Sequence, residues 1–269
     1  MSFCQHCIQG VRHEGEPEGT LETIGGVACY IATPTIDYVK DKVILLLPDA
    51  FGIGLINSKL MTLRKTASRF APKDVQVHGY DIGTVQVVVI DYYNGDSLPP
   101  DALNDKTLNF RGWLATHGAE VTCLPLDKVI AALTEEGITR FGATSYCFGG
   151  RYTFVIAFDK VIQCAVVAHP SLLEVPKDLE ATLITYFIKA KVPLLINACK
   201  NDRSFPAESQ AKAGEISGDG KFAPGYRLEY FPGCTHEFAV RGDLTDPLVK
   251  AGKEEGSFKT SVGFFLTYL

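Results

Sequence analysis

The stretch TSYCFGGRY, Thr144 to Tyr152, decides how the rest of the chain is read. A short apolar run leads into it, and Gly149 and Gly150 follow the cysteine. A chain built this way turns sharply from a strand into a helix and presents one side chain, here Cys147, at the bend. The flanking residues must be small because the bend crowds them against a neighbouring strand and helix. Gly149 and Gly150 meet that need, while Ser145 stands where glycine is commoner. The helix after Cys147 aims its first N–H groups back at the thiol, and their partial positive charge favours the thiolate. The Phe148 N–H is placed to become one donor of an oxyanion hole. Three readings of Cys147 stay open at this point: a hydrolase nucleophile, a redox thiol, or a small buried residue at a tight corner.

Working outward, apolar and β-branched runs predict buried parallel strands at Val43–Leu47, Val85–Ile90, Cys164–Ala168 and Pro193–Ala198, with Tyr226–Phe231 closing the pattern. Helical spacing predicts helices over Asn57–Phe70, Val121–Glu136, Gly150–Phe158, Ala207–Ser217 and Glu254–Leu266, with Gly137 as a C-terminal stop. Edge strands are expected around Leu21–Ile31. Such alternation predicts an α/β fold: a mostly parallel central sheet with helices on both faces, in one domain spanning residues 1–269. The first 18 residues read as a leader, and Pro72–Val87 reads as an insertion where a short connection is usual.

The partners of Cys147 follow from chain order. A hydrolase of this architecture needs an acid and then a histidine, each in a loop just past a strand. Asp202 follows VPLLINACK in the segment NDRSFP, and His236 follows RLEYF in the segment PGCTHEF. The histidine would take or hold the thiol proton, and Asp202 would fix the imidazole tautomer and stabilise its charged form. His169, in AHPS, also ends a strand and is a candidate pocket residue, although Pro170 argues for a structural turn. In LLLPDAFGIG the loop past the first core strand offers Ala50 as the second oxyanion donor. Asp49 then lies next to the nucleophile, where an acid is costly without work or a partner; capping its own loop is the plainer role.

Bulk properties narrow the classes. The net charge is -5 and the pI near 5.7, with neither basic stripe nor basic tail, so nucleic acid and anionic membranes are not expected partners. MSFCQHCIQG lacks the charged start and apolar core of a signal peptide, and no apolar run approaches the roughly 20 residues that span a bilayer. A cytoplasmic setting is expected. Eight cysteines are scattered rather than framed as disulfides, and most read as small hydrophobes. Cys4 and Cys7 form CQHC, which lacks a second ligand pair nearby, so no metal and no other cofactor is expected.

PDAFGI, IDYYNGD, SYCFGGRY, NDRSFP and CTHEFAVRGD, in that order from about Gly19 onward, resemble the dienelactone hydrolase family of α/β-hydrolases. The leader resembles that of fungal members. The resemblance implies Cys147, Asp202 and His236 as the triad, Ala50 and Phe148 as oxyanion donors, and an acidic residue at Asp49 that takes part in substrate-triggered activation of the thiol. Bacterial members carry glutamate there and hold a lactone carboxylate with arginines. One of those arginines falls near Asn94 and Gly95 here, where none is present; the other has a register-shifted counterpart in Arg241. Arg241 and Tyr93 are the candidate substrate contacts. The expected activity is hydrolysis of a small ester or lactone by a monomer or homodimer through an acyl-enzyme. The rival reading is a non-catalytic or redox-sensing thiol protein on the same fold. A glutamine amidotransferase ranks last, because THEF lacks the acid two residues beyond its histidine that such enzymes carry.

Overall fold

In this computed structural model the described residues are 5–34, 37–62, 85–171, 186 and 189–269, leaving aside the side chains of residues 5, 6 and 255. Eight strands form one sheet: β1 (Thr20–Ile24), β2 (Val27–Ala32), β3 (Lys42–Leu47), β4 (Gln86–Ile90), β5 (Arg140–Tyr146), β6 (Cys164–Ala168), β7 (Leu194–Asn201) and β8 (Tyr226–Thr235). Their order across the sheet is β1-β2-β4-β3-β5-β6-β7-β8. β1 and β2 are antiparallel additions at one edge, and every pairing from β4 to β8 is parallel. The α/β reading of the sequence therefore holds.

The central strands β3, β4 and β6 are almost continuously apolar because both faces are covered. Alternation along β3 shows this directly. Val43, Leu45 and Leu47 face a core that also takes Leu126, Val129 and Leu133 of the Ala119–Glu135 helix and Phe154 of the Gly149–Phe158 helix. Ile44 and Leu46 face the opposite core with Phe264 and Phe265 of the Lys259–Tyr268 helix. The Ala119–Glu135 helix ends as expected at Gly137, which adopts φ 99° while the Ile138 N–H reaches back to the Leu133 carbonyl at 3.0 Å.

Two expectations shift. The predicted helix over Glu254–Leu266 is a π-helical stretch, Ala251–Phe258, running into a regular helix over Lys259–Tyr268. Its glycines press on β8: a Cβ on Gly256 would lie 2.1 Å from Phe231 Cε1. The helix predicted from Asn57 is formed over Ile56–Leu60, and its continuation beyond residue 62 lies outside the described residues, as does most of the Pro72–Val87 segment. Among the described residues no helix is long and apolar enough to cross a membrane.

β3 sits between β4 and β5, so the chain reverses its direction of travel across the sheet there. The crevice outside the carboxyl ends of such strands is where α/β sheets bind ligands. Asp49, Cys147, His169, Asp202 and His236 all follow the ends of β3, β5, β6, β7 and β8 at that edge.

Candidate active site

Cys147 follows β5 directly and adopts φ 49°, a left-handed conformation that few side chains tolerate. Its own backbone is pinned: the N–H donates to the Ala168 carbonyl at 3.3 Å, and the carbonyl accepts from Gly150 at 3.1 Å and Ser171 at 2.9 Å. A Cβ on Gly149 would sit 2.4 Å from the Leu47 carbonyl oxygen, so only glycine lets β3 and the new helix approach this closely. Ser145 belongs to β5 rather than to the bend, opposite Leu47 and Val167. It is fully buried, and its hydroxyl has no partner among the described residues.

His236 Nδ1 lies 2.8 Å from Asp202 Oδ1, which also accepts from the N–H groups of Ser204 at 2.8 Å and Phe205 at 3.0 Å. Those backbone donors fix the carboxylate, and the carboxylate fixes the ring. Its other nitrogen, Nε2, is thereby turned toward the thiols. Cys147 Sγ is within 4.8 Å of a ligating atom of His236, and Ser171 Oγ lies 3.5 Å from that sulfur. Sulfur and imidazole are both buried.

The charges follow. A hydrogen bond from Cys7 holds the Cys147 thiol well below the usual cysteine range, against burial, with help from the charged His236 ring and from Ser171. Burial alone would push His236 down, yet the charges of Asp202 and Cys147 outweigh it and hold the imidazole well above its usual value. Both shifts favour a thiolate facing an imidazolium. Other thiols move the opposite way: burial pushes Cys29 and Cys164 up to about 12 and Cys234 to about 11.

Cys7 is the residue that sequence reasoning missed. A turn of 3-10 helix, Gln5–Ile8, brings its buried sulfur to 3.6 Å from His236 Nε2 and within 4.8 Å of Cys147 Sγ. The leader is stapled across the crevice by backbone and side-chain bonds. Arg241 donates to the carbonyls of Gln9 at 2.9 Å and Cys7 at 3.0 Å; Asn104 takes both backbone groups of Gly10; Asn57 donates to the Val11 carbonyl at 2.9 Å. The Val11 N–H reaches the Arg241 carbonyl at 2.7 Å. CQHC was the one signal in the sequence, and its local spacing pointed to Cys4 rather than to partners 140 to 229 residues away.

The loop after β3 is equally fixed. Asp49 is buried, accepts from the Phe51 N–H at 3.0 Å, and forms an ion pair with the buried guanidinium of Arg241. Burial lowers Arg241 to about 10. Tyr93 donates to the Asp49 carbonyl at 3.0 Å and packs its ring on Phe148. Among the described residues no hydrogen bond joins Asp49 to Cys147, and neither the Ala50 nor the Phe148 N–H donates to a backbone carbonyl. His169, at φ 37°, is buried with its ring 5.0 Å from that of His236; both of its ring nitrogens lack a partner among the described residues. Burial, reinforced by the charge on His236, holds it well below the usual histidine range and keeps it neutral.

The profile of the dienelactone hydrolase family matches residues 27–269. The chain belongs to the dienelactone hydrolase family. A curated relative, hydrolase pyvD of Aspergillus violaceofuscus, is 32% identical over 98% of this chain and 96% of its own length. Dienlactone hydrolase 1 of Gibberella moniliformis is 27% identical over 93% of this chain and 88% of its own length. Among solved structures, a Klebsiella pneumoniae protein assigned as a dienelactone hydrolase superposes with a TM-score of 0.67 at 16% identity, covering 93% of this chain and 98% of the other. That likeness speaks for the α/β-hydrolase fold. Family membership makes the chain an ester or lactone hydrolase by class.

Proposed function

We propose that the chain hydrolyses a small ester or lactone through a thioester on Cys147. The observation that carries this is the assembly of Cys147, at a left-handed bend, with a His236 that Asp202 holds at 2.8 Å. The thiolate attacks the carbonyl carbon, and the Ala50 and Phe148 N–H groups receive the negative oxygen. His236 gives its proton to the departing alkoxide, then takes one from the water that attacks the thioester. Asp202 stabilises the imidazolium in each step. In this reading Asp49, paired with Arg241 at rest, acts on the thiol only once substrate disturbs that pair.

The substrate in this reading is uncharged. Arg241 is already engaged by Asp49 and two leader carbonyls, and the Asn94–Gly95 turn brings no second arginine. Burying a free carboxylate there would leave it without a cation. A reducing, cytoplasmic setting suits the thiolate nucleophile. The test is turnover of neutral aryl esters and lactones against carboxylate-bearing lactones. Cys147→Ala should abolish hydrolysis of the neutral set while circular dichroism stays native; retained turnover sinks the nucleophile assignment, and preference for the carboxylate set sinks the substrate assignment.

One observation favours a redox reading: Cys7 and Cys147 sulfurs within 4.8 Å. A hydroperoxide would oxidise the Cys147 thiolate to a sulfenic acid, and the Cys7 thiol would then displace water to form a disulfide. Peptide mapping after mild peroxide separates the readings, since a sensor without hydrolytic work shows that disulfide and no ester turnover.

A further inference from the structure

We propose that Cys7, Cys147 and His236 together form a binding site for a zinc-type divalent cation, and that the bound ion locks the leader over the crevice. The site draws its ligands from three separate parts of the chain: the leader, the bend after β5, and the end of β8. All three side chains are buried, and their ligating atoms lie within 4.8 Å of one another.

The Cys7–His236 edge of the site has the length the ion needs. Zn–S and Zn–N bonds of about 2.3 Å and 2.0 Å at a tetrahedral angle put sulfur and nitrogen about 3.5 Å apart. Cys7 Sγ and His236 Nε2 are 3.6 Å apart. The outer shell is of the kind that metal-bound histidines use, with the far ring nitrogen on a carboxylate, here Asp202 at 2.8 Å. That carboxylate is itself held by two backbone N–H groups. On the leader side, Arg241 donates to the Cys7 carbonyl at 3.0 Å and keeps the turn in place. Two sulfurs and an imidazole select a borderline-soft ion over magnesium or calcium, which want oxygen. A water, or the Ser171 hydroxyl 3.5 Å from Cys147 Sγ, completes the coordination.

Binding balances as follows. The ion forms bonds to both sulfurs and to Nε2, and two protons leave: the one on Cys7 and the one shared by the Cys147–His236 pair. No electron is transferred. The ion therefore occupies the sulfur and the nitrogen that hydrolysis needs and ties residue 7 to residues 147 and 236. Availability of zinc would set the fraction of enzyme able to turn over.

The site does not depend on the hydrolytic reading, because the primary readout is binding. Full-length protein, stripped of metal and kept reduced with a phosphine, is titrated with Co(II) and then Zn(II). The expected result is one Co(II) per chain with intense tetrahedral d–d bands and a sulfur-to-cobalt charge-transfer band, both removed by Zn(II). Cys7→Ser, Cys7→Ala and Cys147→Ser should each weaken zinc by more than the roughly 10–100-fold that an outer-shell change alone brings. Asp202→Asn should fall within that range. X-ray absorption of the wild-type zinc form should show two sulfurs and the remainder nitrogen or oxygen. Zinc bound as tightly by both Cys7 variants as by wild type overturns the proposal, as does an absorption spectrum with four sulfurs or none. Should the Cys7 variants fold poorly, the wild-type absorption spectrum still decides.

Discussion

Cys7 Sγ lies 3.6 Å from Nε2 of His236, the ring nitrogen opposite the one held by Asp202. In the proposed mechanism a second thiol thus stands where an acyl group and an attacking water need room. Cys147 is itself 1% exposed, so on the proposed mechanism the leader has to move before a substrate reaches it.

Loosening the leader should therefore speed modification of Cys147. Asn104 holds both backbone groups of Gly10, at 3.1 Å and 2.9 Å, and adopts φ 67°. Asn104→Gly keeps that backbone conformation and removes both bonds. Two bonds at about 0.5–1.5 kcal/mol each make about 1–3 kcal/mol, so iodoacetamide labelling of Cys147 should accelerate by about five-fold to about a hundredfold. Mass-spectrometric labelling rates equal to wild type would show that the leader is no gate.

The Arg241–Asp49 pair is a buried charge pair, so its halves are not equivalent to its whole. Arg241→Met leaves Asp49 buried without a cation and frees two leader carbonyls. Breaking a buried pair in this way costs about 3–5 kcal/mol. Adding Asp49→Asn should recover a large part of that loss. Denaturant unfolding of the single and double variants measures both numbers, and simple additivity would argue against the pairing.

Stability should rise with pH in two windows set by residues that fasten the leader's end. His13 Nε2 lies 2.8 Å from the Gly242 carbonyl, and Nδ1 accepts from Lys253 at 3.0 Å. Burial first, then the Lys253 charge, push His13 down to about 4; Arg241 adds to this and Asp243 opposes it. Between pH 4 and the ordinary value of about 6.5 the unfolded chain binds the extra proton, so acidification destabilises the fold. Burial also pushes Lys253 down to about 7, with Glu254 opposing and Arg241 adding. From there to about 10.4 the unfolded chain again binds more protons, so stability climbs with pH. Thermal melts of His13→Gln should show a shallower acid slope, the buried neutral His169 keeping part of it, and those of Lys253→Met a shallower alkaline one.

The bend should tolerate no added carbon. Gly149→Ala places a Cβ 2.4 Å from the Leu47 carbonyl oxygen and 3.0 Å from its carbon, both backbone atoms of a central strand. Overpacking of this kind costs about 1–3 kcal/mol, and the melting temperature should fall accordingly. Gly150→Ala, whose Cβ would meet Pro170 Cβ at 2.8 Å, should also destabilise. Unchanged melting in both would mean that the crossing is looser than drawn.

Much of this was readable from the sequence, for a physical reason. Strands covered on both faces must be continuously apolar, and β3, β4, β6 and β7 announce themselves that way. Residues that follow strand ends inherit their position from the sheet, so Cys147, Asp202 and His236 could be placed together by chain order. The leader gave no such handle. It is polar, aperiodic and held by scattered backbone bonds, so neither period nor composition tells where it lies. The pairing of Arg241 with Asp49 crosses 192 residues and depends on how two loops meet. The π-helical stretch was hidden for a related reason: its glycines answer to Phe231, not to their own neighbours.

The staple also has an order in time. Residues 7 to 13 leave the ribosome early, while Arg241, Gly242 and Lys253, which fasten them, emerge 229 to 240 residues later. Contacts that far apart in the chain are late to form. Cys147 leaves the ribosome before Arg241, so during synthesis it passes through a stage in which the Arg241 bonds to the leader are not yet formed. The thiol of that stage also lacks the Cys7 contact that does most to hold it below the usual cysteine range.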